Sequence, residues 1–140
     1  MDVEGIDLSG VNVRCADFPE KLPKGAFSGE EFFHHLNKGT GTKVWVMTHT
    51  ISLFCPLYIP VERIIYEFGE IPNAWRSICR QLKTHVKLFV QLQDNKVVAV
   101  YTGSMNLVNP SNLNLMVRLP KTTHEYWKNY YTHYWVRARK

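Results

Sequence analysis

Apolar and polar positions along the chain divide it into short elements of mixed type. Val11 to Cys15 reads as a short strand, and Pro19 and Pro23 punctuate the loop after it. Ser28-Gly29-Glu30-Glu31 has the pattern of a capping box, in which serine and glutamate side chains satisfy free backbone N–H groups at a helix start. Phe32, Phe33 and Leu36 supply the buried side of that helix, and Gly39 and Gly41 end it. Lys43 to His49 is rich in β-branched and aromatic residues after a Gly/Thr turn, which marks a core strand. Pro56 and Pro60 interrupt the apolar region from Ile51 to Pro60, whose pattern assigns no element. Val61 to Phe68 reads as a short helix. Asn73 reads as the N-cap of another, with Trp75, Ile78, Cys79 and Leu82 as its core stripe.

The most legible stretch is Thr84 to Leu119. Two apolar runs, Val86–Leu92 and Val97–Thr102, flank Gln93-Asp94-Asn95-Lys96. Asp and Asn tolerate positive φ and favour tight turns, so the stretch predicts a β-hairpin. Leu113 to Leu119 predicts a third strand, and a helix rich in Tyr and Trp follows from Thr122. Helices and strands intermix throughout, which implies an α/β class, a mixed β-sheet flanked by helices in a single domain over residues 1–140. If Asp94 and Asn95 form a two-residue turn, His85 lies opposite Ser104. Alternation then puts His85, Lys87, Thr102 and Ser104 on one face and Val86, Leu88, Val90 and Leu92 on the other. Gly103 permits a backbone conformation that lets Ser104 to Asn106 turn inward.

Such a face has chemistry available to it. A neutral imidazole is a nucleophile near physiological pH, lysine supplies a compact positive charge for phosphoryl oxygens, and serine and asparagine donate to the same oxygens. His85-Val86-Lys87 followed by Gly103-Ser104-Met105-Asn106 resembles the HxK…GSxN signature of the phospholipase D-like (HKD) phosphodiesterase family. The family's usual spacing is about four residues shorter, and the extra length divides evenly between the two strands, which preserves the register. Asp94 is similar to the family's aspartate in lying at the turn. The resemblance covers Thr84 to Leu119, and it implies a phospholipase D-like half-domain. It further implies His85 as nucleophile forming a phosphohistidine, Lys87 and Asn106 on the phosphoryl oxygens, Ser104 assisting the histidine, and no metal or other cofactor. Thr102, Asn112 and Asn114 are candidates to bind substrate. The chain departs from the family where a glutamate often orients a catalytic histidine, since Asn112-Leu113-Asn114 stands there.

Composition adds limits. Hydrophobic residues make up 45% and charged residues 21% of the 140, which is the ordinary globular range. No apolar run is long enough to span a bilayer, and the acidic start Met1-Asp2-Val3-Glu4 lacks the character of a signal peptide. The expectation is a cytoplasmic protein with no membrane partner. Cys15, Cys55 and Cys79 form no CxxC pair, which favours reduced buried thiols. A net charge of +5 favours an anionic partner such as nucleic acid. Arg137, Arg139 and Lys140 are either a solvated tail or phosphate contacts.

Other candidates are weaker. His34 and His35 point about 100° apart on a helix and read as a surface pair. His49, at the end of a core strand, reads first as a satisfied buried histidine and second as a group approaching the site. The aromatics from Tyr126 to Trp135 cover nearly the whole helix circumference, so some pack inward and others line an interface. The expectation is a small metal-independent nuclease. The rival is a catalytically inactive binding or regulatory protein on the same scaffold. Phosphodiester hydrolysis of this kind needs a nucleophile and an acid, yet the chain has one HxK motif. A symmetric homodimer would bring two His85 side chains together, with Trp127, Tyr131 and Trp135 as candidates for the interface. The alternative is a monomer in which His49 or a tyrosine is the acid.

Overall fold

The computed structural model describes residues 21–110 and 113–140. Two strands, β1 (Ala26–Ser28) and β2 (Lys43–Met47), flank helix α1 (Gly29–Asn37). Strands β3 (Thr50–Ile51), β4 (Val61–Tyr66), β5 (Phe68–Gly69) and β6 (Cys79–Gln81) follow, then β7 (Leu88–Gln93), β8 (Lys96–Gly103) and β9 (Leu115–Arg118). Helix α2 (His124–Arg137) closes the described chain. Seven strands form one mixed sheet in the order β1-β9-β8-β7-β2-β4-β6, while β3 and β5 make a small parallel pair beside it. Strands β2, β4 and β6 are mutually parallel; β7 runs antiparallel to β2, and β8 and β9 continue the antiparallel half.

Both faces of the sheet are covered, which is why its central strands read as nearly continuous apolar runs. Alternate residues of β2 serve separate cores. Val44 and Val46 join Phe32, Phe33 and Leu36 of α1, with Phe89 and Tyr101. Trp45 and Met47 join Leu88, Val90, Leu92 and Tyr131 of α2. Helix α1 starts as its sequence predicts, with Glu31 N–H donating to Ser28 Oγ at 3.5 Å. Tyr131 is fully buried and donates its hydroxyl to the Val46 carbonyl at 2.9 Å, which ties α2 to the sheet centre. Tyr131 is therefore packed inside the chain and is not free for the dimer interface expected of it; of the other α2 aromatics, Trp135 stacks against Arg80 and Arg63, and Tyr126 is exposed.

The structure bears out the mixed α/β class and corrects several elements. Val61–Tyr66 is a parallel strand, not a helix, because its β-branched residues fit between β2 and β6. Residues Asn73–Ile78 form only a short 3₁₀ segment before β6, with Pro72 at its N-cap. Its expected core stripe is split, with Trp75, Ile78 and Cys79 packing on the α1 side and Leu82 on the α2 side. The third strand is shorter than Leu113–Leu119, spanning Leu115–Arg118. The expected Val11–Cys15 strand lies outside the described residues. His35 is not a surface group: it is half-buried, 3.0 Å from the Tyr101 hydroxyl, and stacked on Phe27. Cys55 and Cys79 are free thiols, and burial pushes both up to about 12.

The hairpin forms, with Asp94 and Asn95 both at positive φ in its turn. Its register differs from the expected one. Gln93 pairs with Lys96 and Leu92 with Val97, but Gln91 pairs with Ala99, so Val98 is an extra residue that slips the rest by one. Leu88 therefore pairs with Thr102, and His85 is not placed opposite Ser104 by the ladder.

Candidate active site

The strand directions bring the C-terminal ends of β2, β4, β6 and β8 and the N-terminal end of β7 to one end of the sheet. In open α/β sheets this is where ligands gather, since the loops leaving parallel strands are free to carry side chains. His49 follows β2, Glu67 follows β4, Thr84 and His85 follow β6, and Asn106 follows β8. Five residues distant in sequence meet there through contacts that can be traced one by one.

The centre is a pair of imidazoles. The rings of His49 and His85 stack with centroids 4.1 Å apart and an interplanar angle of 19°. His49 Nδ1 lies 2.8 Å from the Thr84 carbonyl oxygen, which can only accept, so Nδ1 carries a proton and donates it there. The same nitrogen is 3.3 Å from Glu67 Oε1. That carboxylate is fixed in turn by the Thr84 N–H at 2.9 Å, and its side chain is only 12% exposed. His49 thus has its tautomer set by a carbonyl and a carboxylate, leaving Nε2 as its working atom. Phe68 packs edge-on against His49 with centroids 5.4 Å apart. His85 is exposed, so it is the ring of the pair open to an incoming group.

Asn106 holds His49 from the other side. Its Oδ1 accepts from His49 N–H and Thr50 N–H at 3.1 Å each and from Thr48 Oγ1 at 3.2 Å. Thr48 is fully buried; its hydroxyl reaches the Thr50 carbonyl at 2.7 Å and accepts from Leu107 N–H at 3.0 Å. The GSMN segment is therefore bonded to the turn that carries His49, and Asn106 Nδ2 has no partner among the described residues.

The other sequence candidates fall into two groups. Lys87 is half-buried at the start of β7, with no ion-pair partner among the described residues. Thr102 spends its hydroxyl on the Lys87 carbonyl at 2.7 Å, which pins Lys87 to β8. Ser104 accepts from Leu115 N–H at 2.9 Å and donates to Asn114 Oδ1 at 3.2 Å, so Ser104 and Asn114 are bonded to each other at the entry to β9. Gly103 permits this close path, since a Cβ there would collide with the Leu115 carbonyl and Met116 backbone. Asn112 lies outside the described residues. Asp94 sits at the far end of the hairpin from this site.

Sequence reasoning missed Glu67 and Thr84. Glu67 stands next to the end of a strand parallel to the one ending at His49, a signal hidden by reading that segment as a helix. The three donors His49, Glu67 and His85 lie within 4.8 Å of one another, and a two-histidine, one-carboxylate set is of a kind that suits zinc. The fit is incomplete here. His49 Nδ1 is committed to Thr84, and near-parallel stacked rings direct their in-plane lone pairs alongside each other rather than toward a shared point. As arranged, the set is better suited to moving protons than to holding a metal. Among the described residues no helix is long and apolar enough to cross a membrane. Comparison of the chain with models of protein families, with curated proteins and with solved structures finds no match.

Proposed function

We propose that this chain is a phosphodiesterase of the phospholipase D-like kind, a nuclease that uses His85 as nucleophile and His49 as acid. The observation that carries the reading is the stacked His85–His49 pair with Glu67 and Thr84 fixing the inner ring. The carboxylate lies beside His49 alone and His85 is the exposed ring, so the two imidazoles have different surroundings and suit different roles. Neutral His85 attacks phosphorus, and a P–N bond forms as the P–O bond to the leaving group breaks. His49 gives its proton to the departing oxygen, which leaves as an alcohol. Water then attacks the phosphohistidine; His49 takes the water's proton, the P–N bond breaks, and both imidazoles return to their starting states. Lys87 and Asn106 Nδ2 serve the phosphoryl oxygens, where charge develops.

On this reading the glutamate missing after Asn112 is replaced by Glu67, which acts on the acid instead. The acid comes from the same chain, so a second His85 across a homodimer is not required. The rival is a binding protein that has lost turnover, and the observation favouring it is that Ser104 and the Asn106 oxygen are engaged in holding loops.

The test is hydrolysis of bis(p-nitrophenyl) phosphate, plasmid, single-stranded DNA and RNA, with and without EDTA. Mass spectrometry of the quenched protein would seek an acid-labile phosphohistidine at His85. Turnover that survives EDTA and vanishes in His85→Ala supports the enzyme. Binding without turnover selects the rival.

A further inference from the structure

Next to the imidazole pair lies a groove of about 440 Å³ whose walls include Glu67, Phe68, Gln81, Lys83, Arg137 and Arg139. The groove shares a wall with the candidate active site, because its Glu67 is the carboxylate that holds His49 and its Phe68 is the ring packed against that imidazole. Two arginines come from the end of the chain, a stretch whose composition alone fits a loose solvated tail. Here the end is tied down. Gln81 N–H donates to the Arg139 carbonyl at 2.6 Å and Arg139 N–H donates to the Gln81 carbonyl at 2.8 Å, so the terminal segment bridges to the edge strand β6. Between the two arginines, Ala138 is buried and donates to the Tyr134 carbonyl at 2.9 Å.

Among the described residues, the cations of this groove have no ion-pair partner. The ion pairs among the described residues are Lys43–Glu62 and His49–Glu67, which leaves Lys83, Arg137 and Arg139 without acidic partners. Arg137 uses one guanidinium nitrogen on the His133 carbonyl at 2.7 Å, and its other donors have no partner among the described residues. Three cations thus face one carboxylate that is already hydrogen-bonded. Phe68 is 56% exposed, a large apolar ring standing at the join between the cationic groove and the imidazoles. Fixed cations on one side and an exposed aromatic ring on the other are the two parts of a single-strand platform: one takes the phosphates, the other the face of an unstacked base.

We infer that this groove binds the phosphodiester backbone of single-stranded nucleic acid through Lys83, Arg137 and Arg139, with a base on Phe68, and leads it to His85. The inference rests on the phosphodiesterase reading for its direction and adds the class of substrate. A duplex keeps its bases stacked away from Phe68, so single strands are preferred. DNA and RNA share the chemistry that these residues recognise, and the measurement separates them.

Fluorescence anisotropy on the full chain carrying His85→Ala, so that nothing is cleaved, is read with labelled single-stranded DNA, single-stranded RNA and duplex DNA. In that background Lys83→Ala/Arg137→Ala/Arg139→Ala should bind single strands at least tenfold more weakly. Three phosphate contacts also predict that affinity for a single strand falls about twentyfold between about 50 and 200 mM salt, and the groove variant should lose most of that dependence. Phe68→Ala should weaken binding about tenfold with the salt dependence unchanged. A charge-matched control, Lys38→Ala/Lys96→Ala/Lys121→Ala, should bind as the parent does. No binding by the parent chain, equal losses in the groove variant and the control, or a preference for duplex would each overturn the inference. Hydrolysis of bis(p-nitrophenyl) phosphate by the wild-type chain is read separately. Its absence alongside intact binding would remove the catalytic reading and leave the groove.

Discussion

Replacing Asn106 separates its role as a loop clamp from its proposed role as a donor to phosphate. Its Oδ1 accepts three hydrogen bonds, two of them from the backbone N–H groups of His49 and Thr50. Asn106→Ala removes all three. A typical intramolecular hydrogen bond contributes about 0.5–1.5 kcal/mol, and the loss is larger where the abandoned donor stays dry. His49, Thr50 and Asn106 are half-buried, so water reaches part of the vacated space, and Thr48 keeps its bond to the Thr50 carbonyl. The expected cost is therefore about 2–3 kcal/mol, a fall of roughly 7–10 °C in Tm for a chain of this size. Asn106→Asp keeps an oxygen acceptor in place and loses only the amide donor, so its cost should stay under about 1 kcal/mol. Activity should behave otherwise. Both variants lose the Nδ2 donor, and the aspartate adds a negative charge beside the phosphoryl group, so Asn106→Asp should be stable and at least as inactive as Asn106→Ala. Thermal unfolding followed by circular dichroism, with bis(p-nitrophenyl) phosphate hydrolysis on the same samples, reads both quantities. An Asn106→Ala chain as stable as wild type would refute the clamp. Full activity in Asn106→Asp would refute the donor.

Three other outcomes can be checked. Tyr131→Phe removes one fully buried hydroxyl bond to the Val46 carbonyl and should cost about 1 kcal/mol in urea unfolding, with activity retained. Burial, aided by Arg118 and Lys38, lowers the pKa of His35; burial also lowers that of His124, with Arg118 and Lys121 adding to it against a hydrogen bond that the imidazole donates to the Val97 backbone. Folding thus favours their neutral forms, and their contribution is intact above the unfolded value of about 6.5 and declines as pH falls through it toward the folded values. His35→Gln should flatten the loss of stability between about pH 7 and 5, read from urea midpoints. Mixing wild-type with His85→Ala chains should give activity proportional to the wild-type fraction if the acid is intrachain. A quadratic dependence, with sedimentation showing a dimer, would restore the two-fold shared site.

The sheet's centre was legible in the sequence because β2, β7 and β8 are continuous apolar runs bounded by turn residues. Helix α1 was legible for its cap, and α2 for its aromatic density. The neighbourhood of Glu67 was not, because VERIIYEF places apolar residues at spacings that suit a helix as well as a strand. Only the partners on either side decide, and they are set by tertiary pairing that a local pattern does not contain. The one-residue slip in the hairpin was equally hidden: Val98 is as good a strand residue as its neighbours, and nothing in its type marks it as the extra one. His85, Lys87 and Asn106 could be named from the motif. What Asn106 grips, and that His49 rather than Ser104 meets His85, required the fold.

On the proposed mechanism, that grip would let one chain hold both halves of an acid–base pair. A nucleophile and an acid contributed by separate loops lose most of their rate advantage if their separation wanders by about 1 Å. Here the two histidine-bearing segments are joined through main-chain groups. His49 donates to the Thr84 carbonyl, one residue before His85, and its own N–H is held by Asn106. Glu67 closes the circuit by taking the Thr84 N–H while lying against the His49 ring. Each bond acts on the backbone beside one of the two histidines or on the ring itself, so the three loops are tied to one another. His85 is exposed and has no side-chain hydrogen bond among the described residues, while half-buried His49 is bonded at its ring and its N–H. The division suits the proposed chemistry, in which the nucleophile must change its bonding partner and the acid only has to stay in reach of the leaving oxygen.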